Sequence, residues 1–86
     1  MKITLELKTT NGEETTLTAL VPDFIIWERH SKRKISDLAA GIGMEDLAFL
    51  AYSVLKRTGS NLKPFDSWIN SVENIEPIEE DPKATS

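Results

Sequence analysis

The stretch Gly43–Gly59, GMEDLAFLAYSVLKRTG, constrains the fold most, because it is the longest run compatible with one uninterrupted helix. Glu45 and Asp46 near its start suit the positive end of a helix dipole, and Lys56 and Arg57 suit the negative end. Gly59 is placed to take the left-handed conformation that closes a helix. Leu47, Leu50, Ala51, Val54 and Leu55 recur at helical spacing and form one apolar face. Phe49 and Tyr52 fall outside it; at roughly 100° per residue, Phe49 shares a side with Glu45, Ser53 and Lys56. A helix with aromatic groups on a second side must be covered twice. The second cover is either another element of the same chain or a partner.

The flanking segments have to supply the first cover. Ile3, Leu5 and Leu7 alternate with Thr4, Glu6 and Lys8, the pattern of a half-buried strand. Asn11-Gly12 is a strong hairpin signal, and the return strand is Glu14 to Leu20, with Thr15, Leu17 and Ala19 on one face. A lone hairpin is marginal in water, so the Ile3/Leu5/Leu7 face either docks on the helices or offers its edge for self-association.

Pro22 suits the first turn of a helix that runs VPDFIIWERHSKR. Phe24 and Trp27 lie on one side of it with Ile26 nearby; Glu28, Arg29, Lys32 and Arg33 lie largely on the other. The basic run Lys32-Arg33-Lys34 reads as a solvated helix end or as a site for an acidic partner. Residues 35–41 read as a short helix capped by Ser36 and stopped by Gly41. A further helix is expected over PFDSWINSVENI, where Phe65, Trp68, Ile69, Val72 and Ile75 fall on one stripe. From Glu76 onward the chain is rich in Pro, Glu and Asp and is expected to be flexible.

The fold class expected is therefore α+β and mostly α. An N-terminal β-hairpin (residues 1–20) precedes a small bundle of three to four helices (22–75). Together they form a single domain over 1–76, followed by a flexible acidic tail over 77–86. Eighty-six residues bury only a modest core.

Composition narrows the function. The chain has no cysteine, so a disulfide framework or thiolate metal site is excluded. No apolar run approaches a membrane span, and MKITLELK lacks the apolar block of a signal peptide, so an intracellular protein is expected. The net charge of −4 is uneven: residues 64–86 carry six acidic groups and one basic group, whereas residues 21–63 carry seven basic and five acidic. Any nucleic-acid function would work against that acidic end.

His30 is the single histidine, and no nucleophile or second base is paired with it at a useful spacing. One histidine without cysteine cannot supply a usual zinc set, and Glu79-Glu80-Asp81 lacks the spacing and glycine of a calcium loop. Gly41-Ile42-Gly43 has no leading strand, third glycine or lysine, so it is not read as a phosphate loop. The chain reads as a non-enzyme without catalytic residues, metal or cofactor.

The order and spacing of Trp27-Glu28-Arg29, Leu47-Ala48-Phe49-Leu50-Ala51-Tyr52, Leu55-Lys56-Arg57 and Pro64-Phe65-Asp66 with Trp68 resemble the small tail assembly chaperones of long-tailed bacteriophages. The resemblance covers about residues 20–80. It implies a protein that coats the long, helical, aggregation-prone tape-measure protein in the host cytoplasm. It also implies a longer frameshifted form that recruits tail-tube subunits, and departure before the virion is complete. This chain would correspond to the short form. The family brings no catalytic residues, only a binding surface.

Surplus aromatic surface on a small helical domain suits helix-in-groove recognition, repeated weakly along a long partner. On that basis Trp27, Phe49, Tyr52 and Trp68 are the candidate partner-binding residues, with the Ile3, Leu5 and Leu7 edge for self-association into a homo-oligomer. Neither nucleic acid nor membrane is an expected partner. Two other readings stay open: an adaptor or antitoxin-like protein acting through its acidic tail, and a helix-turn-helix regulator built on residues 36–41 and 44–58.

Overall fold

The computed structural model describes residues 2–78. The fold is α+β. Strands β1 (Ile3–Thr9) and β2 (Glu14–Ala19) form the expected hairpin, with Leu5 opposite Leu17 and Leu7 opposite Thr15. The turn differs from the two-residue form that Asn11-Gly12 suggests. Gly12 N–H donates to Thr9 C=O and Thr9 N–H donates to Glu13 C=O, so the loop has three residues between Thr9 and Glu13. Within it only Gly12 takes a positive φ, +90°, the arrangement of a hairpin with a glycine bulge.

Helices α1 (Val21–Ser31), α2 (Ile35–Ala40) and α3 (Met44–Arg57) follow. All three begin in the same way. The third helical residue is an aspartate whose carboxylate reaches back to the N–H of the capping residue. Asp23 accepts from Leu20 (2.9 Å), Asp37 from Lys34 (3.0 Å) and Asp46 from Gly43 (3.0 Å). Each aspartate satisfies an orphan donor and sits at the positive end of a dipole. At α2 this replaces the cap expected from Ser36. Helix α1 stops two residues earlier than its sequence pattern suggests, because Lys32 adopts a left-handed φ of 58°. The C-terminal end of α3 follows expectation, with Gly59 at φ +100° after the cap at Thr58.

The last part of the chain corrects the expected helix over 64–75. Only Phe65–Trp68 is α-helical (α4); one 3-10 turn over Ile69–Ser71 follows, and then strand β3 (Val72–Ile78). β3 pairs antiparallel with β1, with Leu7 opposite Ile75 and Thr4 opposite Ile78. The physical reasons are local and tertiary together. Val72, Ile75 and Ile78 are β-branched, and Pro77 cannot continue a helix. Pairing also satisfies the second row of backbone groups on β1, which a two-stranded hairpin would leave exposed. The domain accordingly runs to Ile78, and Glu76 and Pro77, expected in a flexible tail, belong to β3. The rest of that tail, 79–86, lies outside the described residues.

The sheet order is β2-β1-β3, so β1 is the middle strand. This corrects the expectation that Ile3, Leu5 and Leu7 present a free edge: β1 is paired on both sides. Leu5 and Leu7 are buried, and Ile3 is half-buried against the core. One sheet face carries Leu5, Leu7, Leu17, Ala19 and Ile75 into the core; Glu6, Thr16 and Glu76 alternate with them on the other face.

Helix α3 lies at the centre. It packs on all three strands and on α1, and from Asp46 to Val54 only Ala48 is not fully buried. A helix buried on nearly every side is unusual for so small a chain, and it explains why both apolar sides of α3 need cover.

Candidate partner-binding surface

The four aromatic residues expected to contact a partner all lie in the core. Trp27 is 0 % exposed, and Phe49, Tyr52 and Trp68 are buried. The second side of α3 is covered by the chain itself. The His30 ring stacks on Phe49 with centroids 3.9 Å apart, and Phe65 meets Phe49 edge-on at 5.3 Å. Tyr52 packs against Phe65 and Trp68, and its hydroxyl donates to Lys63 C=O at 2.6 Å. Edge-to-face and offset contacts of this kind add to simple area burial. His30 is exposed on one side while it roofs Phe49 on the other. As long as the domain is folded, none of these four rings offers more than an edge.

Two buried carboxylates tie α1 to α3. Asp23 is 0 % exposed and accepts from Ser53 Oγ (2.8 Å), Arg57 Nε (3.2 Å) and Arg57 Nη2 (2.9 Å), besides the Leu20 N–H. Asp46 accepts from Trp27 Nε1 (2.9 Å) and Arg33 Nη1 (3.1 Å), besides the Gly43 N–H. The start of α1 is thus bonded to the end of α3, and the start of α3 to the middle of α1, an antiparallel pair fastened at two places. Burial pushes the Asp23 carboxyl up, but the hydrogen bonds from Arg57, Leu20 and Ser53, with the charge of Arg57, outweigh it and hold the pKa below its ordinary value. At Asp46 burial is likewise outweighed, by the Gly43 N–H, the Trp27 indole and Arg33, so its pKa is also lowered. Asp23 in turn raises the pKa of Arg57 through its hydrogen bond. These groups are fully hydrogen-bonded to one another, which marks them as structural fasteners. The sequence signal for them is the aspartate at the third position of each helix; their partners, up to 34 residues away, carry no local signal.

The edges of Phe49 and Tyr52 line an open groove with Ile26, Lys56 and Arg57; the most exposed apolar side chains lie elsewhere. One patch is an open groove between the first turns of α3, α4 and β3, lined by Met44, Ala48, Phe65, Ile69 and Val72. Met44 is 63 % exposed and Ile69 39 %. Glu45 and Glu73 stand at its margin. A second patch is at the start of α1, where Leu20, Val21 and Ile25 are exposed. Neither was evident from periodicity, because Met44 falls at a helix end and α1 has apolar residues on more than one side.

Among the described residues no helix is long and apolar enough to cross a membrane, and no cluster of His, Cys, Asp or Glu could hold a metal ion. No family model matches the chain, and no curated protein and no solved structure matches it.

Proposed function

We propose that this chain is a tail assembly chaperone of a long-tailed bacteriophage, in its short form, and that it holds the tape-measure protein soluble in the host cytoplasm. The observation that carries the reading on the structural side is the open apolar groove lined by Met44, Ala48, Phe65, Ile69 and Val72. A groove between two helices and a strand fits one apolar stripe of a partner helix, the anchors spaced a turn apart. Methionine suits a surface that must accept many slightly different stripes, because its side chain is flexible and polarisable. The acidic margin of Glu45 and Glu73 favours a helix whose stripe is flanked by basic residues. On the sequence side the reading is supported by the ordered WER, LAFLAY, LKR and PFD-x-W segments.

In this reading many copies line one long partner, each binding weakly, so that all can leave when the tail tube closes. Recruitment of tail-tube subunits belongs to a longer frameshifted form, and the chaperone is absent from the finished virion. The fold of the short form supplies the groove; the aromatic residues beneath it hold the groove's floor in place.

Co-expression with the long helical protein encoded just downstream tests this. The expected result is a soluble complex with many copies of this chain per partner, measured by light scattering on affinity-purified material. Met44→Glu and Ile69→Glu alter exposed side chains and should leave the fold intact while abolishing capture. If the partner stays insoluble and this chain elutes alone, the reading fails. If both variants capture the partner as well as the unaltered chain does, the groove is not the site.

A further inference from the structure

The two edges of the sheet are unlike each other. β3 carries Glu73, Glu76 and Pro77, the charges and proline that usually blunt an edge against further pairing. β2, at the other edge, reads Glu14-Thr15-Thr16-Leu17-Thr18-Ala19, with one charge at its start, no proline and three β-branched threonines. Its register with β1 is regular from Lys8/Glu14 to Ile3/Ala19, so no bulge turns it away. The Thr9 N–H to Glu13 C=O bond that closes the hairpin fixes which residues pair with β1. By alternation, Thr15, Leu17 and Ala19 direct their N–H and C=O groups inward to β1, and Glu14, Thr16 and Thr18 direct theirs out from the open edge.

The α1 patch follows that edge directly in the chain. Among the strands, α1 packs chiefly on β2. Asp23, Trp27 and His30 face α3, through Ser53, Asp46 and Phe49 respectively. At roughly 100° per residue, Val21 and Ile25 fall on the opposite side of α1 from those three, and so look away from α3. They are 53 % and 43 % exposed and line a shallow groove with Phe24 and Ile35.

We infer that β2 and the outer side of α1 form a self-association surface whose occupant is a second copy of this chain. A two-fold axis perpendicular to the sheet runs β2 antiparallel to its counterpart and makes one six-stranded sheet. Leu17 and Ala19 then stay on the helix-covered face in both copies, since residues directly opposite in an antiparallel pair share a face. The same operation sets Val21 and Ile25 of one copy against Val21 and Ile25 of the other. A strand from an unrelated partner would pair the edge and leave those two side chains in water. A second copy covers both features at once, as an isologous contact requires. A strand pair alone is a small contact, and a specific interface needs about 1,000 Å² in total; the α1 strip supplies its apolar part. This contact is independent of what the Met44/Ile69 groove binds.

Sedimentation velocity over a concentration series, with amide hydrogen exchange at Thr16 and Thr18, tests it on the full chain. The expected result is a species of twice the monomer mass at high concentration, with the Thr16 and Thr18 amides becoming protected as it forms. Thr16→Pro removes an outward N–H at a position where an edge strand tolerates proline. Ile25→Glu places a charge in the helix strip. Each should yield a monomer with an unchanged far-UV circular dichroism spectrum. If Thr16→Pro does not fold, Ile25→Glu and the two amides decide. The inference is overturned by a chain that stays monomeric at its highest soluble concentration. It is equally overturned by an oligomer that survives Ile25→Glu, or by one in which Thr16 and Thr18 exchange as fast as in the monomer.

Discussion

Asp23→Ala should lower the unfolding free energy by about 3 kcal/mol at neutral pH, the low end of what removing one partner of a buried ion pair costs. Asp23 is fully buried and its carboxylate satisfies Ser53, Arg57 and the Leu20 N–H together. Without it, the buried Ser53 hydroxyl loses its acceptor. The Arg57 side chain is a third exposed and can turn to water, which keeps the loss from the top of the range. The pH dependence gives an independent signature. The folded-state pKa of Asp23 lies below the ordinary 3.8, so its contribution is complete above about that pH and is lost as pH falls toward the folded value. Urea melts should therefore show the full gap between the unaltered chain and Asp23→Ala at pH 7, narrowing below about pH 3.8. A gap that is constant with pH would mean that Asp23 acts only by filling space.

Trp27→Ala should cost about 3–5 kcal/mol, the range for emptying a large buried aromatic site. Trp27 is 0 % exposed and fills the space between α1 and α3. In a domain of this size such a loss approaches the whole margin of stability. Trp27→Phe separates packing from the hydrogen bond. It keeps most of the volume but leaves Asp46 Oδ1 without the indole N–H, a loss of about 1–3 kcal/mol. Arg33, whose guanidinium lies 5.4 Å from the Trp27 ring centroid and bonds Asp46, limits that loss by still serving the carboxylate. Thermal melts followed by far-UV circular dichroism measure both variants. Near-equal stability for Trp27→Ala and the unaltered chain would place Trp27 on the surface instead of in the core.

Much of this fold could be read from the sequence, and the reasons are specific. α3 was legible because glycines bracket it and its charges follow the helix dipole. The hairpin was legible because Ile3, Leu5 and Leu7 alternate strictly before Asn11-Gly12. β3 was not legible, because only Ile75 of its seven residues is buried, and one buried side chain leaves no alternation to detect. The helical stripe from Phe65 to Ile75 was a real coincidence of spacing: Phe65 and Trp68 use it, and the chain then straightens to pair with β1.

The candidate site was less legible. Phe49 and Tyr52 lie off the main apolar face of α3 by their spacing, but periodicity cannot say what covers a second face. The answer comes from His30, Phe65 and Trp68, which are 19 residues before and 16 after Phe49 or Tyr52 in the chain. Once those rings are inside, the proposed contacts fall to apolar side chains left exposed, Met44 and Ile69 at the groove and Val21 and Ile25 on α1.

All of this rests on α3 being enclosed by its own chain, and native-state hydrogen exchange measures that most directly. The amides of Leu50, Ala51 and Tyr52 should be the slowest to exchange, opening only with the free energy of global unfolding found in urea melts. If they instead open with a much smaller free energy than the β1 amides, α3 is a loosely held element, and its aromatic side is available to a partner after all.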